Sequence, residues 1–476
     1  MVFSSLTFLL LFLPVVLLLY YIRRDVTWRN WVLAVASLLF YAWGEPVIVL
    51  AMLLSVLINY LCGLGMASVD AKAGQPHAVV KKRLLLVAGI VSSVGMLAYY
   101  KYAGFLVETF SAVTGLAVSF HAPELPIGIS FYTFQILTYT IDAYRGKVPV
   151  QRSFLKLLLY IACFPQLIAG PIVQYADIAE SLDARTTSVA DFTDGMRRFF
   201  LGLGKKVILA NLCGQALEQC TLAGNGQALS FCGAWLAGIL YAFQLYYDFS
   251  AYSDMAIGLG RVLGFSYREN FCYPYVSRGA SEFWRRWHVS LGSFFRDYVY
   301  IPLGGNRRGR VRTVLNLLVV WALTGLWHGA SWNFVLWGLY WFLLQQVDKA
   351  LPERMVSRIP AVLRAVVTFL FAVIGWVLFY YTDLGAGLTH IAAMFGAGQG
   401  FADAACLAVL KQYALFFPVM VFCAMPVLPA IRRRTEGGRA AAALDVAGTV
   451  AAVLVAVASL AMLVGQSYNP FIYFRF

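Results

Sequence analysis

The sequence predicts an all-α, polytopic integral membrane protein of roughly 11–13 transmembrane or re-entrant helices. Three observations carry that expectation. Hydrophobic residues make up 61% of the 476, well above the roughly 45–50% of soluble domains. Charged residues reach only 13%, about half the usual share. Apolar runs of span length also recur between clusters of Lys and Arg, the pattern that cytoplasmic loops impose on a membrane chain. The net charge of +14, from 37 basic and 23 acidic side chains, follows from the same rule and implies the lipid bilayer, not nucleic acid, as the partner. Eight cysteines, scattered in apolar stretches, offer neither a disulfide framework nor metal-ligand spacing. The whole chain, 1–476, reads as one membrane domain.

The elements follow in order. The run Val2 to Ile22 precedes Arg23 and Arg24, the reverse of a signal peptide's charge order, so it reads as a retained span with the N-terminus outside. Spans at about 31–43 and 47–66 lead to Lys72, Lys81, Lys82 and Arg83, a second cytoplasmic group. A span at about 84–100, an outer loop around His121 and Pro126, and a polar-speckled helix at about 127–144 descend to Arg145 and Lys147. Segments at about 153–169, 192–217 and 231–261 are interrupted by Pro165, Gly170, Pro171 and further glycines, which points to partial or re-entrant helices shielded by protein.

Between residues 278 and 312 stand Arg278, Arg285, Arg286, Arg296, Arg307, Arg308, Arg310 and Arg312, against only Glu282 and Asp297. That segment is expected to face the cytoplasm. Arginine recognises phosphate through paired hydrogen bonds, so Arg285 and Arg286, with Trp284 and Asn306, are the candidates for binding a phosphate-bearing donor. An apolar segment at about 313–327 then meets Trp327-His328-Gly329-Ala330-Ser331-Trp332-Asn333, and a second one returns to Asp348 and Lys349. Fifteen helical residues rise roughly 22 Å, short of a hydrocarbon core of about 30 Å, so a hairpin of two such segments would hold its tip within the membrane. Spans at about 365–381, 405–429 and 442–464 complete the chain and leave 466–476 as an extracytoplasmic tail.

His328 is the most informative position, because an ionisable side chain inside a bilayer is costly unless it is paired or used. Imidazole can take a proton from a hydroxyl during acyl transfer without a permanent charge. Gly329 would permit close approach of a substrate, and Trp327 and Trp332 would flank it. Asp248 and Asp254 lie on a tyrosine-rich helix; six residues apart, they point about 240° from one another, and each is expected to fix packing through tyrosine hydroxyls or an arginine.

These residues also carry a resemblance. Glu282 through His288, Arg296-Asp297-Tyr298, Ile301-Pro302-Leu303-Gly304-Gly305-Asn306 and Trp327-His328-Gly329 resemble the signature of the membrane-bound O-acyltransferases, more narrowly the bacterial branch that O-acetylates alginate. The opening Met1-Val2-Phe3-Ser4-Ser5, the run Tyr247 to Asp254 and the closing Phe471 to Phe476 fit the same family. The resemblance implies helices around a central tunnel in the inner membrane, a cytoplasmic acyl thioester and an extracytoplasmic hydroxyl acceptor. It implies His328 as the catalytic histidine and His288 as a second active-site residue, able to orient the thioester or donate to the oxyanion. No bound cofactor is expected. Acetyl-CoA is the expected donor, with an acyl carrier protein as the alternative, and an SGNH-type serine acetyltransferase is the expected partner. The closing hexapeptide resembles a small peptide that accompanies the D-alanylating members, which makes Tyr473 a candidate acyl relay gripped through Phe474 and Phe476. D-alanyl transfer to teichoic acid, and a polyprenyl-linked sugar flippase from a different class, stand as the alternatives.

Overall fold

The computed structural model describes residues 1–71, 77–222, 229–435, 438–465 and 471–472. The described residues form helices, turns and loops with no strand, and five helices are long and apolar enough to cross a membrane, six if one bent pair counts as a single span. The all-α membrane expectation holds. Continuous spans are fewer than expected because several runs are broken: Ala404–Gln412 and Phe416–Cys423 meet at 73°, and π-helical turns interrupt the chain at Phe8–Phe12 and Lys205–Ala210.

The chain divides into two compact units, Met1–Phe199 with Met255–Arg268, and Phe200–Asp254 with Glu269–Phe476. In the first unit, α1 (Val26–Ala42), α2 (Val49–Asp70), α3 (Ala78–Thr114) and α4 (Ile129–Tyr144) succeed one another. Helix α3 has 37 residues, far more than the expected 84–100, because Lys101 is buried within it and does not end it. Polar side chains join helices here. Asn59 of α2 donates to Ser93 of α3 at 2.8 Å and accepts from Thr140 of α4 at 2.7 Å, interhelical bonds that apolar surroundings leave without competition from water. Arg29 is buried, with its guanidinium 4.8 Å from the Tyr20 ring centre. Arg185 donates to Tyr20 at 2.9 Å and to Asn30 at 2.7 Å.

The second unit holds most of α5 (Phe231–Val262), then α6 (Ala280–Arg286), α7 (Val289–Phe295), α8 (Arg310–His328), α9 (Trp332–Ala350), α10 (Ala361–Tyr380) and α11 (Arg439–Gly465). Its core is aromatic: Phe283, Trp287, Trp337, Trp341 and Trp376 are buried together. Asp348 near the end of α9 accepts from the Ser281 backbone N–H at 3.0 Å, which caps the start of α6 with a negative charge. Asp248 and Asp254 pair with Lys206 and Lys205. Sequence distance hid those lysines, which lie on the preceding π-helical turn.

Candidate active site

The hairpin predicted around His328 forms. Helix α8 ends on His328, Gly329 is extended, and α9 starts at Trp332. Glycines bring the two helices together, since a side chain at Gly325 would meet the Phe334 carbonyl and one at Gly338 the Trp321 carbonyl. Each helix has 19 residues, about 28 Å at 1.5 Å per residue. Arg310 to Thr313 are wound into the first turn of α8, so the helix is longer than its apolar run and its length does not hold the tip short of the far membrane face.

His328 is buried, with ring centroids 5.0 Å from Trp337 and 5.1 Å from Phe379. A side chain at Gly329 would meet the Phe334 ring, which packs against that side of the tip. Trp332 is 54% exposed, and Trp337, five positions further along α9, packs its indole against His328. A helix restarted after a break takes a phase that spacing alone does not reveal.

His288 sits between α6 and α7 with φ 47° and ψ 54°, a left-handed conformation that is uncommon for a residue with a Cβ and concentrates at functional sites. The preceding loop holds it there: the Val289 N–H donates to the Asn270 carbonyl at 3.0 Å, and the Cys272 N–H to the Arg286 carbonyl at 2.8 Å. The Asn270 side chain sets the ring. Its Oδ1 accepts from the Ser290 backbone N–H at 3.1 Å, a group that can only donate, so the atom facing His288 Nδ1 at 3.2 Å is an acceptor. Nδ1 therefore carries the proton, and Nε2 presents a lone pair that is buried without a hydrogen bond among the described residues. Asn270 is itself held by Ser253 at 3.1 Å. Burial pushes the imidazole down to about 3, from an ordinary value of 6.5, so the ring is neutral at physiological pH.

The two histidines meet at one indole. The Trp327 ring lies 4.9 Å from His328 and 5.8 Å from His288, edge-on to both. Around it, the indole N–H groups of Trp284, Trp337 and Trp341 are buried with no hydrogen bond among the described residues. Buried polar groups without a partner are exceptions in folded proteins, and a bound ligand is one way to satisfy them.

The donor-binding candidates part company. Trp284 points into the aromatic core, 4.9 Å from Trp321 and 5.1 Å from Trp341. Arg286 is bound to Glu282 at 2.7 Å and to the Cys272 carbonyl at 3.3 Å. With Arg278, it holds the Glu282 carboxyl below its ordinary range against the opposing effect of burial. Arg285 and Asn306 are exposed and have no side-chain hydrogen bond among the described residues. Tyr473, Phe474 and Phe476 lie outside the described residues. Sequence reasoning missed Asn270, Trp337 and Phe379. Asn270 stands 18 positions before His288, and no motif spacing links the two.

A model of the membrane-bound O-acyltransferase family matches residues 144–384, a stretch that contains both histidines and all the described donor candidates. The chain belongs to that family. Among relatives of this membrane-bound O-acyltransferase, a probable alginate O-acetylase of Pseudomonas aeruginosa is 36% identical, with 100% of both chains covered. A peptidoglycan O-acetyltransferase of Helicobacter pylori is 31% identical over 83% of this chain and 80% of its own. A teichoic acid D-alanyltransferase of Bacillus subtilis is 26% identical over 53% of this chain and 68% of its own. The protein is thus a multi-pass membrane acyltransferase, and the flippase alternative falls away.

Proposed function

We propose that this membrane-bound O-acyltransferase moves an acetyl group from a cytoplasmic thioester toward an exported polysaccharide such as alginate, with His328 as general base. The observation that carries this reading is the pair of buried histidines on one indole. A hydroxyl oxygen attacks the thioester carbonyl, forming the C–O bond; the C–S bond then breaks, and the proton taken by His328 leaves with the thiolate. His288, neutral with its lone pair on Nε2, suits an acceptor that orients the hydroxyl or the imidazole of His328. Its geometry does not suit the oxyanion donor considered from sequence. That role fits the Trp337 indole N–H, beside His328 and otherwise unused, since preorganised donors at a developing oxyanion contribute most in dry sites.

Acetyl-CoA is the donor favoured by full-length similarity to alginate O-acetylases, and the exposed Arg285 would meet its phosphates at the cytoplasmic face of a bacterial inner membrane. In this reading both chain ends are extracytoplasmic and helices surround a tunnel. Tyr473 accepts the acyl group as an aryl ester, and an SGNH-type serine transferase takes it to polymer. A phenol, with a pKa near 10, gives up its proton more readily than a sugar alcohol, and its ester stays activated for onward transfer.

The test is to incubate purified protein with labelled acetyl-CoA or a labelled acetyl carrier protein, without the partner, and analyse its peptides by mass. The reading expects thioester consumption and an acetyl adduct on Tyr473, both absent in His328→Ala. Full polymer acetylation by Tyr473→Phe would remove the relay. Wild-type activity in His328→Ala would remove the mechanism.

A further inference from the structure

Two residues near the end of the chain, Phe471 and Ile472, are described, and both lie against one buried ion pair in the second unit. Lys206 Nζ and Asp248 Oδ1 are 2.7 Å apart, with each side chain 2% exposed. The other carboxylate oxygen, Oδ2, accepts from the Ile472 backbone N–H at 2.8 Å. Ile472 itself is buried in the aromatic core. The Phe471 ring lies 5.2 Å from Tyr252, one turn along α5 from Asp248, and 5.8 Å from the Lys206 ammonium. Both halves of the pair therefore engage the tail.

We propose that the Lys206–Asp248 pair anchors the C-terminal tail and sets the register in which Tyr473 is presented. A buried ion pair often contributes no more to folding than an apolar pair of the same shape, so its use must be sought in what it orders. Here the carboxylate reads a main-chain N–H, which fixes chain position independently of the side chain at 472. Tyr473 is the next residue in the sequence. Lys205 and Asp254 form a neighbouring pair that is 30% and 19% exposed, nearer to solvent than the first, and it serves as the comparison pair. Lys206 and Asp248 are positioning residues, and their catalytic consequence rests on the acyl-relay reading given above.

The experiment uses full-length protein in nanodiscs and follows carboxypeptidase removal of the last four residues by intact mass, alongside acetyl-CoA binding and polymer acetylation with the partner present. In Lys206→Met/Asp248→Leu, and separately in Ile472→Pro, which removes the tail's N–H together with the buried Ile472 side chain, trimming should accelerate about tenfold or more, the scale of a hydrogen bond to a charged group. Polymer acetylation should fall in step, donor binding should stay unchanged, and Lys205→Met/Asp254→Leu should trim like the wild type. Ile472→Pro leaves the core pair intact and keeps the test available if the double variant does not fold. Unchanged trimming in Ile472→Pro, or equal acceleration in the Lys205/Asp254 control, overturns the anchor. Faster trimming with full polymer acetylation keeps the anchor and removes the relay.

Discussion

At His288 a single side chain carries three constraints: left-handed backbone, burial and a fixed tautomer. Asn270→Leu removes the acceptor that holds the proton on Nδ1 and is expected to slow acyl transfer about 10- to 100-fold, the range seen when a histidine's orienting partner is lost, with thioester consumption as the assay. His328→Ala should cost about 10²- to 10⁴-fold, the contribution of a general base. Burial also makes His288 a pH-dependent element of stability. Its proton affinity is lowered to about 3 from 6.5, so between those values the unfolded chain holds a proton that the folded chain does not. Its contribution is present above about pH 6.5 and is lost as pH falls toward 3. Thermal unfolding should therefore shift to lower temperature on acidification, with a shallower slope in His288→Asn, since asparagine tolerates the left-handed backbone. His328 was legible because a histidine at a broken apolar run stands out. Asn270 was not, because its role comes from a backbone pairing between Asn270 and Val289 that leaves no trace in composition.

At the scale of elements, the hairpin α8–α9 depends on close backbone approach at Gly325 and Gly338. Gly338→Leu should force the helices apart and destabilise the protein by about 1–3 kcal/mol, the usual effect of overpacking, measured as a lower unfolding temperature. The hairpin itself could be read from two apolar runs around a short polar tip. That Trp337 joins Trp327 against His328 could not, because the phase of α9 is set by its packing against α8 and α10. The same limit applies to α3, where Lys101 reads as a span end in the sequence but is buried in mid-helix. Polar residues end a helix in sequence reasoning only on the assumption that they seek water.

Across the whole molecule, the arginine-rich segment divides into scaffold and free surface. Arg278 and Arg286 are engaged with Glu282, whereas Arg285 is exposed. Arg285→Ala is expected to raise the apparent KM for acetyl-CoA severalfold with kcat nearly unchanged, while Arg286→Ala should lower the unfolding temperature. Equal effects of the two on yield alone would leave the segment only a topological role. Membership of the family was legible over nearly the full length, since its motifs are local runs of residue types. The number of continuous spans was not, since bends such as the 73° break after Gln412 arise from tertiary packing.

The backbone at position 288 also constrains how this enzyme can decay by mutation. With φ at 47°, asparagine and glycine enter at little conformational cost, while β-branched residues are strained. Drift at this site is thus channelled toward replacements that keep the chain folded and inserted while deleting the imidazole. Descendants that have lost transfer activity should retain a complete membrane scaffold with Asn or Gly in place of this histidine, available for binding roles that need the architecture without the chemistry.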